Sequence, residues 1–194
     1  MVTRLNIPTF LTIIRLVSSL LILPFLLVYL LPLPYVAPKI ILALFFAFVS
    51  LTDFFDGYLA RRFGQETLLG RLLDPIADKF LLYATLTALV YLQRVYFYWA
   101  VLFIGREFLV TSLREIALSF NFSLRVIRTA KLKTILQMTY CTWVILFFDR
   151  SSTQLAIYCG EYILLVAALS LSLWSLGEYM VTVLRCVKGA NEIS

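Results

Sequence analysis

Long apolar stretches separated by short polar turns run through almost the whole chain. With Pro and Gly marking the turns, they predict six helices, at about residues 9–31, 38–62, 72–92, 96–120, 131–148 and 154–184. Each is close to or longer than the roughly 20 residues that cross the hydrocarbon core of a bilayer. The pattern therefore predicts an all-α integral membrane protein, a bundle of six transmembrane helices with short loops, forming a single domain over residues 1–194.

Composition supports the membrane prediction and narrows the chemistry. The chain is 62% hydrophobic with a mean hydropathy of +0.93, whereas soluble domains are about 45–50% apolar. It contains no histidine, so histidine is excluded as a general base or metal ligand. Acid–base and metal chemistry must fall to carboxylates, Lys, Arg, Tyr or Cys.

Basic residues crowd one end of the predicted helices. Only Lys39, Arg94 and Arg150 fall at the other end, and Arg106 falls near mid-span. Because cytoplasmic loops carry an excess of Lys and Arg, the crowded end and both termini are expected in the cytoplasm. The net charge of +6 is explained by this topology and requires no nucleic-acid partner.

Four aspartates stand in this apolar sequence at helical spacing. Asp53 and Asp56 share one face of the second predicted helix, and Asp74 and Asp78 share one face of the third. A short turn between the helices can bring both pairs to one cavity, where their repulsion requires cations. Carboxylate oxygens favour magnesium, manganese or calcium. The pattern predicts a site for two divalent ions about 4 Å apart, of the kind that serves phosphoryl or pyrophosphate chemistry.

Small and basic residues accompany the aspartates. Gly57, Ala60 and Gly70 lie on the same two faces, where small side chains either allow close helix packing or leave room for a ligand. Arg61 ends the second helix, as a topology anchor or as a cation that neutralises a phosphate.

Eight of these positions resemble the signature of the CDP-alcohol phosphatidyltransferases: Asp53-x2-Asp56-Gly57-x2-Ala60-Arg61-x8-Gly70-x3-Asp74-x3-Asp78. The resemblance implies that an acceptor alcohol attacks the phosphorus of a CDP-activated lipid and that CMP leaves. It implies two Mg²⁺ or Mn²⁺ ions held by Asp53, Asp56 and Asp74, with Asp78 as general base and a further contact to metal. The residues implied to line the nucleotide pocket are Gly57, Ala60, Arg61 and Gly70.

Shorter motifs flank the signature and are similar to those of the phosphatidylglycerophosphate synthases of that family. They are Asn6-Ile7-Pro8 with Thr12 and Arg15, Arg106-Glu107 with Leu113-Arg114-Glu115, and Lys131-x-Lys133-Thr134. The resemblance implies transfer from CDP-diacylglycerol to sn-glycerol 3-phosphate, giving phosphatidylglycerol phosphate and CMP. It also implies a homodimer in a bacterial inner membrane, with the active site facing the cytoplasm.

Four cations are candidates for binding the acceptor phosphate. Arg114, Lys131 and Lys133 fall at the cytoplasmic ends of the fourth and fifth helices, where they bind a phosphate or serve as positive-inside anchors. Arg106 falls about 15 Å into the fourth helix and needs a partner or a watery cavity. It is either an acceptor-side residue or part of a structural ion pair. Neighbouring Glu107 points about 100° away around the helix, which indicates a larger network.

Two other functions compete with this hypothesis. The same family signature is compatible with another acceptor, such as phosphatidylglycerol, inositol phosphate or serine. The carboxylates could instead form the ion path of a divalent-cation transporter. The second alternative is disfavoured because the acids cluster at one interface and the sequence shows no inverted repeat.

Overall fold

The computed structural model describes the backbone of residues 14, 16–63, 68–119, 122, 128–149 and 155–191. Side chains are described for the same residues apart from 52–63, 68–75, 77–78, 128 and 186–191. Every regular element within these ranges is helical, which confirms the all-α prediction. A π-helical segment, Ser18–Ile22, is followed by six α-helices: α1 Leu23–Leu30, α2 Val36–Phe63, α3 Leu68–Tyr91, α4 Phe97–Ser119, α5 Arg128–Leu146 and α6 Leu155–Asn191.

Helix α3 begins earlier than the sequence pattern predicts. The turn predicted over 63–71 is wrong at residue 63, which still belongs to α2, and at 68–71, because α3 starts at Leu68 and includes Gly70. The remaining part, 64–67, lies outside the described residues. The leucines around Gly70 are strong helix formers, and one glycine costs a helix only about 1 kcal/mol. A helix starting at residue 72, as predicted, would have placed Pro75 in its first turn, but the earlier start places Pro75 inside the helix. Its ring nitrogen cannot donate to the carbonyl of Arg71, four residues earlier.

The chain divides into two compact units. Unit one comprises Met1–Tyr96 and Cys141–Ile157, and unit two comprises Phe97–Tyr140 and Tyr158–Ser194. Buried side chains recur at helical spacing in both. Those of unit one include Leu23, Leu27, Leu31, Leu82, Leu86 and Leu89, and those of unit two include Phe103, Val110, Tyr140, Leu165, Ala168 and Tyr179.

Large apolar side chains also cover the outward faces of the helices. Leu44 and Phe48 on α2, Phe108 on α4, and Ile163 and Trp174 on α6 are each more than 60% exposed. In soluble monomers contiguous exposed apolar surface is rare, and it marks interaction sites with membranes or partners. Within the described residues one helix, Leu155–Arg185, is long and apolar enough to cross a membrane, and three shorter apolar stretches accompany it: Ser18–Leu30, Val36–Leu51 and Lys79–Tyr91.

Two basic residues of unit one bind the turn that follows α5. Arg94 donates from Nε to the Phe148 carbonyl at 3.2 Å and from Nη2 to the Phe147 carbonyl at 3.1 Å. Lys39 is 3% exposed and pairs with the carboxylate of Asp149. Carbonyls at a helix C-terminus carry partial negative charge, which stabilises cations there. Two of the three basic residues predicted for the outer end are thus paired within the protein.

Helix α3 ends in a Schellman motif. The backbone N–H of Arg94 donates to the Leu89 carbonyl at 2.9 Å, and that of Gln93 donates to the Val90 carbonyl at 2.9 Å. Gln93 has a φ of 55°, the left-handed conformation that glycine usually supplies at this position.

We expect Gln93→Gly to raise stability by up to about 1 kcal/mol, because glycine carries no Cβ to strain the left-handed backbone. Gln93→Val should lower it by about 1 kcal/mol or more, since a β-branched side chain tolerates positive φ poorly. Thermal unfolding in detergent should rank glycine above wild type and valine below it. Equal midpoints for the two variants would contradict the motif.

Candidate functional site

Seven of the eight signature positions lie on the helices predicted to carry them, and the eighth, Gly70, lies on α3 and not in the predicted turn. Asp53, Asp56, Gly57, Ala60 and Arg61 fall on α2, and Gly70, Asp74 and Asp78 fall on α3. These helices contact each other within unit one. The helical spacing inside each aspartate pair is therefore present in the backbone. The side chains of all eight positions lie outside the described residues, so the metal and nucleotide site remains a prediction.

The four aspartates of the signature offer ligands of the kind that divalent ions prefer. Four carboxylates on two contacting helices supply the hard oxygen ligands that Mg²⁺ and Mn²⁺ prefer. Among the side chains that the structure describes, no group of three or more His, Cys, Asp or Glu could hold a metal ion. The four aspartates therefore stay the predicted ligand set, and the chemistry of their carboxylates fits the ion.

Arg106 lies inside a hydrogen-bonded network of unit two. It is 4% exposed. Its Nε donates to the Ser172 carbonyl at 3.0 Å, its Nη1 to Glu107 Oε1 at 2.8 Å, and its Nη2 to Ser175 Oγ. A guanidinium at this depth requires such partners. Arg106 therefore joins α4 to α6, with its charge satisfied by groups of the protein.

Glu107 joins a third helix, α5, to this network. The same Oε1 atom that accepts from Arg106 also accepts from Lys133 Nζ on α5. The Lys133 side chain is 4% exposed and that of Glu107 is 14% exposed. One carboxylate thus serves two buried cations from different helices. Glu107 therefore belongs to a network larger than its pair with Arg106. Its additional partner is Lys133, one of the predicted acceptor residues.

Arg114 makes a separate contact with α6. Its Nη2 donates to Tyr179 Oη at 2.7 Å, and its Cζ lies 5.1 Å from the centroid of the same ring. Tyr179 is 1% exposed. A buried aromatic hydroxyl usually finds such a partner, and the contact fixes the direction of the guanidinium.

The two candidate lysines of α5 have different surroundings. Lys133 is buried and pairs with Glu107, whereas Lys131 is exposed and takes part in neither the Glu107 pair nor the Arg114–Tyr179 contact. Residues two apart in a helix point about 200° away from each other. The structure therefore brings Lys133 together with Arg106 through Glu107, and leaves Lys131 on another face.

Helix α6 supplies partners that no sequence motif marked. Besides Ser172, Ser175 and Tyr179, it carries Glu178, which accepts from Thr129 Oγ1 at 2.8 Å and from Trp174 Nε1 at 3.2 Å. The only signal in the sequence was polar residues recurring at helical spacing in an apolar stretch. Such residues equally serve packing in membrane helices, so their partners could not be inferred.

Comparison with known proteins identifies the class. The profile of the CDP-alcohol phosphatidyltransferase family matches residues 5–174, which include the signature and all four candidate acceptor cations. The chain belongs to the CDP-alcohol phosphatidyltransferase family, and the predicted membership of this enzyme family is confirmed.

Individual relatives carry a more specific name. A protein of Rickettsia felis is 41% identical over 65% of this chain and 70% of its own length. Proteins of Salmonella choleraesuis and Yersinia pseudotuberculosis are 36% and 35% identical, over 91% of this chain and 94% of their own lengths. Each is named CDP-diacylglycerol–glycerol-3-phosphate 3-phosphatidyltransferase.

Proposed function

We propose that this protein transfers the phosphatidyl group of CDP-diacylglycerol to sn-glycerol 3-phosphate, giving phosphatidylglycerol phosphate and CMP. The observation that carries the proposal is the complete eight-position signature on α2 and α3. The shared name of relatives that align over nine-tenths of the chain supports the choice of donor and acceptor.

The donor side of the reaction belongs to α2 and α3. Asp53, Asp56, Asp74 and Asp78 would hold two Mg²⁺ or Mn²⁺ ions, which when bound shield the pyrophosphate and stabilise the departing CMP. Gly57, Ala60, Arg61 and Gly70 would line the cytidine nucleotide pocket. A new bond forms between the acceptor oxygen and phosphorus, and the bond from that phosphorus to the CMP oxygen breaks. The acceptor hydroxyl proton passes to Asp78, because a carboxylate is the natural base in a chain without histidine.

The acceptor side belongs to α4, α5 and α6. Lys133 and Arg114 would bind the phosphate of glycerol 3-phosphate, with Lys131 as a more exposed cation for the same anion. Arg106 would act through Glu107, because its described hydrogen bonds go to groups of the protein. It holds the carboxylate that directs Lys133, and is in this proposal a positioning residue.

The membrane setting is part of the proposal. Six spans, cytoplasmic termini and an active site facing the cytoplasm of a bacterial inner membrane agree with the distribution of basic residues. Charged residues lower the hydropathy of α4 and α5, yet in the interior the Glu107 carboxylate pairs with both Arg106 and Lys133. Such internal pairing is how ionisable residues are accommodated in membrane helices. A homodimer is proposed from the family resemblance alone.

We expect Lys133→Ala to raise the KM for glycerol 3-phosphate at least about tenfold, since a charge-assisted phosphate contact stabilises binding by about 1.5–3 kcal/mol. The KM for CDP-diacylglycerol should change by less than about twofold. Lys131→Ala is the matched comparison, because it removes the same charge from an exposed face of the same helix. It should raise the acceptor KM by less than Lys133→Ala does, since Lys131 is proposed as the more exposed cation for the same phosphate. Equal acceptor KM values in Lys133→Ala and wild type would return Lys133 to the role of a structural cation.

The proposed activity is tested by an acceptor panel. Purified protein in detergent with Mg²⁺ and CDP-diacylglycerol is offered glycerol 3-phosphate, phosphatidylglycerol, inositol phosphate or serine, and CMP release is measured. A response to glycerol 3-phosphate alone is the expected result. A response to another acceptor would keep the family chemistry and overturn the acceptor. Silence across the panel, from folded protein that binds metal, would overturn the activity.

A further inference from the structure

Gln137 on α5 carries a buried amide that meets no hydrogen-bond partner among the described residues. It is 1% exposed. Neither its Nε2 nor its Oε1 has a hydrogen-bond partner within the described part of the chain. Leaving a buried donor or acceptor unsatisfied costs about 1–3 kcal/mol per group. An amide held in this state suggests that something absent from the free chain completes it.

Gln137 adjoins the network of the proposed acceptor site. It follows Lys133 by one helical turn on the buried face of α5, and side chains four apart in a helix are neighbours. Lys133 bonds Glu107, which bonds Arg106, and Arg106 bonds the Ser172 carbonyl. We call the group formed by Arg106, Glu107, Lys133, Gln137, Ser172 and Ser175 the acceptor cluster.

Ser172, in the acceptor cluster, carries a second polar group of this kind. The Ser172 hydroxyl is buried without a hydrogen-bond partner in the described part of the chain, in a residue that is 1% exposed. Buried polar groups in proteins are nearly always hydrogen-bonded. One of these two exceptions lies a helical turn from Lys133, and the other lies in the residue whose carbonyl accepts from Arg106. Each is in a residue more than nine-tenths buried, and together they point to a polar ligand beside this network of unit two.

We propose that Gln137 is a specificity-determining residue that binds the middle hydroxyl of the acceptor, the one that does not react. This inference rests on the proposed function, in which a terminal hydroxyl of glycerol 3-phosphate attacks and Lys133 binds its phosphate. A carboxamide offers two donors and an acceptor oxygen, and a hydroxyl both donates and accepts. Lys133, which binds the phosphate in this proposal, and Gln137, which binds the middle hydroxyl, are one helical turn apart on α5.

The chemistry of the site predicts strong discrimination. A buried group that hydrogen-bonds a substrate hydroxyl rejects an analogue without it, because the group is then left unpaired. The suitable analogue is 3-hydroxypropyl phosphate, which keeps the phosphate and the terminal hydroxyl and lacks only the middle one. Ordered water on Gln137 is the competing explanation, and it predicts no effect of Gln137 on the choice between the two acceptors.

The experiment measures kcat/KM for both acceptors in wild type, Gln137→Met and Gln137→Glu. Wild type should prefer glycerol 3-phosphate by at least about 100-fold. Gln137→Met has similar size and no amide, and should reduce the preference to less than about 10-fold. Gln137→Glu keeps the length and loses the donors, so it should also lower the ratio. Cys141→Ala, a buried change one turn further along α5, controls for general loosening of the helix.

The outcomes separate two failures. If wild type shows no preference, or if both Gln137 variants keep the wild-type ratio, the role of Gln137 is overturned while the proposed function stands. If wild type uses neither acceptor, the proposed function fails, and the role of Gln137 fails with it. A fall in activity that is equal for both acceptors would show that the amide is structural.

Discussion

Asp78→Asn is expected to lower turnover by about 10²–10⁴-fold while leaving nucleotide binding largely intact. The substitution removes the proposed proton acceptor, and general base catalysis typically contributes a factor of this size. Asparagine keeps the shape and one oxygen, so the other three aspartates would still hold metal. CMP release measures turnover, and Mg²⁺-dependent binding of CMP measures the site.

Asp53→Asn provides the matched comparison, because it makes the same chemical change at a position proposed only to hold metal. Its Mg²⁺ requirement should rise and its CMP affinity should fall. Equal metal and CMP affinities in Asp53→Asn and wild type would remove Asp53 from the ligand set. An Asp78→Asn enzyme with turnover within about threefold of wild type would remove Asp78 as the base.

Glu107→Gln is expected to destabilise the folded protein by about 3 kcal/mol, with a fall in Tm on the order of 10 °C. Glutamine retains an acceptor oxygen but not the negative charge that Arg106 and Lys133 share. Removing the counter-charge leaves two buried cations close together, and breaking a buried ion pair is costly in this way. Thermal unfolding in detergent measures the effect. The KM for glycerol 3-phosphate should also rise, since Lys133 loses the carboxylate that directs it.

Glu115→Gln is the control for Glu107→Gln, as Glu115 lies on the same helix and is exposed. It should leave Tm within about 2 °C of wild type, because surface carboxylates contribute little to stability. If Glu107→Gln behaved like Glu115→Gln in both Tm and acceptor KM, the shared carboxylate would not be the centre of the network.

The signature and the helices that carry it could be read from the sequence because both depend on local spacing. Asp53 and Asp56, and likewise Asp74 and Asp78, fall on one helical face by residue count alone. The start of α3 could not be placed in the same way. Gly70 and the polar residues before it are typical of a turn, whereas the leucines on either side of Gly70 extend the helix.

The contacts on the acceptor side could not be predicted from residue spacing, because they join residues far apart in the chain. Glu107 and Lys133 are 26 positions apart in the chain, and Arg114 and Tyr179 are 65 apart. Only packing of α4 with α5 and α6 brings such residues together. From the sequence, Lys131 and Lys133 were equally good candidates for binding the acceptor phosphate, although helix geometry points them in different directions. Burial of one and exposure of the other became apparent only in the folded chain.

The most direct test of the proposed function follows the acceptor into the product. Purified protein is incubated with CDP-diacylglycerol, Mg²⁺ and glycerol 3-phosphate labelled with ¹⁴C, and label is measured in the lipid phase alongside CMP in the aqueous phase. Phosphatidyl transfer predicts one labelled lipid for each CMP released, and neither product when Mg²⁺ is chelated. CMP release without label in lipid would mean hydrolysis of the donor, and would contradict transfer to glycerol 3-phosphate.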